Sequence, residues 1–345
     1  MPIIYFTFKF AFQSITNQIM KIRILLLVSF IALLQSCNSE TIKANKNISE
    51  KLRETIKSKN DSLLVAMQTS NLKIYKTLGT EKFIKHLQAE TRNVVWLYRE
   101  GYLNNEYTIY DEYEIKLPKA FKYIEIPSEE KKYTFKYLSE EKETYVSLLK
   151  TSLYQNDYLL AVVYNLTDKG WKINDIEVSM FGHLNKTAKE YYDMAKKADE
   201  KGMLIDAFQY ANVAVVSIDQ AESMLKFDEE KSIKLYRDKL NGKLENKYKF
   251  PAPIEDIRSQ PEVTAVEYAL TKEGLFPQIT YRTTIPLKDS TRVVDEFNFV
   301  KVRVKDMYPD MDFNRKILYN VENVTSSRRG SDYKDTMQLI DDKKK

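Results

Sequence analysis

Only eight glycines occur in the 345 residues, at positions 79, 101, 170, 182, 202, 242, 274 and 330, and no two lie closer than twelve positions. Phosphate-cradling loops and sharp nucleophile turns need closely spaced glycines, because backbone must approach a ligand or reverse abruptly. G-x-G-x-x-G, G-x-x-x-x-G-K and G-x-S-x-G are all excluded by this spacing. The chain must therefore be built from elements with ordinary turns, and nucleotide-dependent or hydrolase chemistry of the usual kinds is not expected.

The second constraint lies near the amino terminus. Lys21 and Arg23 precede an apolar run from Ile24 to Leu34 that is broken only by Ser29. A helix needs roughly 20 apolar residues to cross a bilayer core. This run is too short for that and fits the core of an export signal. Leu34-Gln35-Ser36-Cys37 follows and carries the sole cysteine of the chain. With these residues the chain resembles a bacterial lipoprotein precursor, in which a box of leucine, two small residues and cysteine is cleaved before the cysteine. Leu34, Ser36 and Cys37 match that pattern, and Gln35 is bulkier than usual. The resemblance implies acylation of the Cys37 thiol, hence a membrane-lipid partner and a place in the cell envelope. Residues 1–36 are expected to be a signal region whose true start is Met20.

Those 36 residues hold three basic side chains and no acidic one. Without them 51 Lys and Arg face 49 Asp and Glu. A near-neutral mature chain does not support nucleic-acid binding through a basic surface.

Residues 37–47 are polar and read as a tether. Leu52, Ile56, Leu63, Ala66 and Met67 then recur at helical spacing, with Ser49 as the capping residue. Further helical pieces cover "NLKIYKTL" and "TEKFIKHL", the latter starting at Thr80. The period changes at "EYTIYDEYEIKL", where Tyr107, Ile109, Tyr113 and Ile115 share one strand face. "KYTFKYL", "ETYVSLLKTSLY", "DYLLAVVYNL" and "GWKINDIEVSMF" continue the strands, and "TDKG" makes a turn at Gly170. Helices followed by a long antiparallel meander make an α+β unit over residues 48–183. Its order, with Gly170-Trp171-Lys172-Ile173 opening the last strand, resembles the NTF2-like (cone, or cystatin-like) superfamily. That resemblance implies a pocket on the concave sheet face, with Trp96, Tyr107, Tyr113 and Trp171 as candidate lining residues.

Residues 184–248 are helical again. Tyr191, Met194 and Ala195, then Gly202, Ala207 and Ala214, resemble one tetratricopeptide-type hairpin, with small residues where helices cross closely. Ala198 and Ala211 stand where that family has aromatics. Three prolines at 251, 253 and 261 mark a boundary. Residues 249–325 then read as a small β-β-α-β unit whose helix turns Val294, Phe297, Val300, Val304 and Met307 inward. Residues 326–345 are polar and are expected to be a mobile tail.

Chemistry is sparse. His86 and His183 are the only histidines, too few with one cysteine for a zinc site. His183 is expected at a domain junction. Adjacent carboxylates such as Asp111-Glu112 are expected on solvated strand ends. No catalytic residue, metal or cofactor is called for. The expectation is an α+β envelope protein, held by lipid at Cys37, with a non-catalytic binding or assembly role toward another envelope protein through its helical hairpin and α+β domains. The alternative is a small-molecule binder or enzyme using the concave pocket.

Overall fold

The computed structural model describes residues 39–90, 106–128, 133–153, 155–218, 224–326 and 332–342. These form an α+β protein with seven α-helices among the described residues. None of them is long and apolar enough to cross a membrane.

The first unit is a curved sheet covered on both faces. Its strands are β1 (Thr41–Ala44), β2 (Thr108–Lys116), β5 (Glu143–Leu153), β6 (Asn156–Thr167), β7 (Gly170–His183) and β8 (Lys186–Thr187), in the order β1-β2-β5-β6-β7-β8. Every pairing is antiparallel. Gly170 opens β7 with φ +83°, which glycine adopts without a Cβ clash. On one face lie α1 (Glu50–Thr69), α2 (Leu72–Leu78) and α3 (Glu81–Glu90). Ile56, Leu63, Ala66 and Met67 of α1 pack there against Tyr145, Leu160, Val162 and Tyr164. On the other face lie β3 (Lys122–Ser128) and β4 (Tyr133–Ser139), whose Ile124, Ile126 and Phe135 pack on Leu148, Leu159, Ala161 and Val163. Alternate residues of β6 thus enter different cores, which is why "LLAVVY" reads as an unbroken apolar run.

Several cues held. Ile56, Leu63, Ala66 and Met67 are buried as their spacing predicts. Ser49 occupies the N-cap of α1, though its side chain makes no capping bond. The Thr80 hydroxyl accepts from the Phe83 amide at 3.1 Å and so caps α3. The single meander did not hold: β4 leaves the main sheet and pairs with β3 and, through Tyr133–Phe135, with β9 (Leu225–Phe227).

The second unit contains α4 (Ala188–Glu200), α5 (Leu204–Val216) and α6 (Glu230–Lys247). Thr187 and Glu190 form a capping box on α4. Gly202, at φ +75°, turns the chain into α5. Ala195, Ala198, Ala207 and Ala211 meet around Leu240 of α6, so the alanines at the expected aromatic positions make room for a third helix.

The third unit is a mixed sheet in the order β10-β11-β12-β13-β14. These strands are β10 (Ala252–Pro253), β11 (Glu262–Thr271), β12 (Gly274–Arg282), β13 (Ile317–Ser326) and β14 (Asp332–Asp341), with α7 (Ser290–Met307) between β12 and β13. β12 and β13 run parallel, a pairing that requires a crossover such as α7. Val293, Phe297, Val300 and Val304 are the buried stripe of α7. Val294, expected inward, is exposed, and Val293 takes its place.

Two expected loose ends are strands. Within the 37–47 tether, Thr41–Ala44 pairs with Tyr113–Lys116 as β1. Within the 326–345 tail, β14 pairs along its whole length with β13, and Met337 and Leu339 pack on the third core. Both are edge strands, where polar and charged side chains are common because one side stays open to water.

A buried cluster joins the second and third units. The Asp206 carboxylate on α5 receives the Tyr268 hydroxyl and, at 2.9 Å, the Asp312 amide. Arg315 lies 3.5 Å away and donates to the Tyr210 hydroxyl at 2.7 Å. Burial pushes the Asp206 carboxyl above its usual range, with the Tyr268 bond and Arg315 opposing.

Candidate functional site

The described members of the predicted aromatic set lie on two faces of the sheet. Trp96 lies outside the described residues, as does Cys37. Tyr107 packs on the helix-covered face, where its hydroxyl donates to Asp61 at 2.6 Å. Trp171 is on that same side, edge-to-face with Tyr145 at 6.1 Å. Tyr113 is on the opposite face, its hydroxyl 2.7 Å from that of Tyr133.

The cause is a bulge in β2. The register with β5 shifts between Ile109 and Asp111, so Tyr110 has no partner of its own. One extra residue reverses which face each later side chain takes. Tyr107 and Tyr113, equal in parity, therefore end on opposite sides. The bulge also buries Asp111 and Glu112, which the sequence places on a solvated strand end. Asp111 accepts from Tyr133 at 2.5 Å and from Asn45 Nδ2 at 2.9 Å. Glu112 accepts from Tyr145 at 2.7 Å, and burial raises its carboxyl pKa against that bond. Asn45 Oδ1 accepts the Glu112 amide at 3.0 Å, so one side chain holds both halves of the bulge.

On the helix face, α1 packs against the sheet. Asn60 of α1, fully buried, donates to Ser147 at 3.1 Å and accepts from Tyr164 at 2.8 Å. His183 ends β7, where its Nδ1 is 2.8 Å from Asn156 Oδ1. Burial lowers its pKa, with Asp157 opposing. Of His86 only the backbone, within α3, is described.

Cavities lie elsewhere among the described residues. A small one of about 70 Å³ lies among Tyr110, Phe181, Ile218, Phe227 and Ile233. A notch of about 220 Å³ lies beside Asp206 and Arg315. The largest of these three, about 740 Å³, lies between the 256–259 loop, the 284–286 loop and the amino-terminal half of α7. Its size falls in the range of ligand-binding clefts.

The floor of this cleft is Glu296, only 4% exposed. One carboxylate oxygen accepts from Thr283 at 3.0 Å and from Ser259. The other has no hydrogen-bond partner among the described residues. Asn323 donates to the carbonyls of Thr283 and Ile285, each at 3.0 Å, and fixes that wall. Arg258, Arg292, Asp256 and Asp295 give the rim both signs of charge. Phe299, 66% exposed, stands at its edge, with Val302 exposed one turn further along α7. Neither histidine lines it. A fixed, mixed-charge groove with an open aromatic rim suits recognition of a segment carrying hydrogen-bond donors and an apolar anchor.

This cleft is barely marked in the sequence. Its available signal was Phe299, a large aromatic off the apolar stripe of an amphipathic helix. Ser259 lay hidden in the proline-rich boundary. No known protein family matches the chain, and no curated protein or solved structure matches it either. Among the described residues no group of three or more His, Cys, Asp or Glu is placed to hold a metal ion.

Proposed function

We propose that this is a lipid-anchored cell-envelope protein that binds a partner protein through the α7 cleft and performs no chemistry there. The observation that carries the reading is the cleft itself, a ligand-sized groove with Phe299 and Val302 exposed on its outer helix. Aromatic side chains set beside a groove are common binding anchors. Two further points support it. On the curved face of the first sheet Tyr107 and Trp171 pack against the core that α1 helps to form, which favours the α7 cleft over them as the binding surface. The small residues of the tetratricopeptide-like hairpin are spent on α6, so its helix-crossing face is not open to a partner. The export segment and Cys37 supply the anchor.

A photo-crosslinking residue placed at 299, and separately at 302, tests this in membranes of the native host. The expected result is one shared adduct at both positions and none at Lys57, an exposed control on α1. Equal adducts at 57, or none at 299 and 302, would refute the cleft. Fatty-acid labelling that persists in Cys37→Ala would refute the anchor.

A further inference from the structure

The outer face of the β3–β4 hairpin exposes three large apolar side chains. Phe121 is 73% exposed, Tyr123 56% and Leu138 49%. Tyr123 and Leu138 are direct cross-strand partners, and Phe121 is two residues before Tyr123 in the turn that enters β3. The opposite face of the same hairpin is fully committed to the core through Ile124, Ile126, Phe135 and Tyr137. Water therefore meets an aromatic and aliphatic cluster on one face only.

The described amino end of the chain lies beside this cluster. Glu40 forms an ion pair with Lys122, the residue between Phe121 and Tyr123. Thr41 pairs with Lys116, at the end of β2 that leads into the same turn. Consecutive Cα atoms are 3.80 Å apart, so the Cα of Cys37 lies within about 11 Å of that of Glu40. Wherever an acyl chain on Cys37 enters a bilayer, the bilayer surface is thus within a few residues' reach of Phe121. Lys119 and Lys142 are exposed close by, Lys142 through its carbonyl bond to the Leu117 amide at 2.7 Å. Aromatic and aliphatic side chains flanked by lysines suit the boundary between acyl chains and anionic headgroups.

We infer that Phe121, Tyr123 and Leu138 form a membrane-contact face that lays the β3–β4 hairpin on an anionic phospholipid surface. This rests on the lipoprotein reading. The acyl chains hold the protein to the bilayer, and the hairpin fixes how the body sits on it.

The test uses full-length protein, acylated in its host and reconstituted into vesicles of phosphatidylethanolamine and phosphatidylglycerol. Acylation occupies the only native thiol, so Leu138→Cys and Leu72→Cys each carry a single spin label. Leu72 is exposed on α2, across the main sheet from the hairpin. The expected result is a several-fold lower collision rate with an aqueous nickel chelate at 138 than at 72, and a higher one with oxygen dissolved in lipid. Adding Phe121→Asp and Tyr123→Asp should return the label at 138 to the aqueous value. A label at 138 as water-accessible as that at 72, in protein whose acylation mass spectrometry confirms, overturns the contact face alone. An unacylated Cys37 overturns the lipoprotein reading and this inference with it.

Discussion

Asn45 ties the two halves of the β2 bulge together, and its replacement has a calculable cost. Its side chain donates to Asp111 and accepts from the Glu112 amide, spanning the β2 bulge. It also sits at φ +51°. Asn45 is itself exposed, so water replaces part of what is lost and the lower end of each range applies. A hydrogen bond to a carboxylate then contributes ~1.5 kcal/mol and one to an amide ~0.5 kcal/mol. Alanine in the left-handed region adds ~1 kcal/mol that asparagine largely avoids. Asn45→Ala should therefore destabilise the β2–β5 region by about 2–3 kcal/mol, and Asn45→Gly should recover about 0.5–1 kcal/mol of it. Native-state hydrogen exchange over residues 106–117 and 143–153 reads this locally, with residues 262–282 of the third unit as an internal reference. Local measurement matters because a chain of several units need not unfold in one step. Exchange in Asn45→Ala within ~0.5 kcal/mol of the parent, or a glycine variant no better than alanine, would refute the bulge-locking role.

Two further outcomes follow from the described geometry. His183 has a folded pKa below its ordinary 6.5 because it is buried. Its neutral form is the one the fold favours, so its contribution is complete above the unfolded pKa and is lost as pH falls below it. The thermal midpoint of the parent should fall more steeply than that of His183→Gln between neutral pH and about 5, and parallel curves would contradict this. Ending the chain after Ser326 removes β14 and the half-buried Met337 and Leu339. A loss of about 2–3 kcal/mol in the third unit is expected from that apolar area, seen as faster proteolysis between 262 and 326, and unchanged resistance would show that β14 is dispensable.

The parts of the fold legible in sequence are those where one periodicity governs a long segment. The buried stripes of α1 and α7, the hairpin at Gly202 and the β6–β7 turn at Gly170 are of that kind. The misread parts involve a break in period or a side open to water. Tyr107 and Tyr113 look like neighbours until the single residue Tyr110 is bulged out, and no composition signal marks that residue. β1 and β14 carry the polar content of edge strands and so resemble linkers. Asp111 and Glu112 look solvated because the groups that bury them come from far along the chain: Asn45 and Tyr133 for one, Tyr145 for the other. Apart from Phe299 the cleft left no mark for the same reason, since Ser259, Thr283 and Glu296 meet only once the β11–β12 hairpin and α7 pack together.

The short strand β1 also sets a path for force. It is the first described strand after the proposed anchor, and it joins the sheet through four residue pairs, from Thr41–Lys116 to Ala44–Tyr113. A partner moving on the α7 cleft would pull the body against the membrane through this ladder. Sideways tension would peel it from Thr41 one pair at a time, whereas tension along the strand would load all four pairs together. Behind the ladder stands Asn45, whose bonds to Asp111 and the Glu112 amide would be the next to break. A hairpin resting on the bilayer, with Glu40 clipped to Lys122, would bear the load before β1 does.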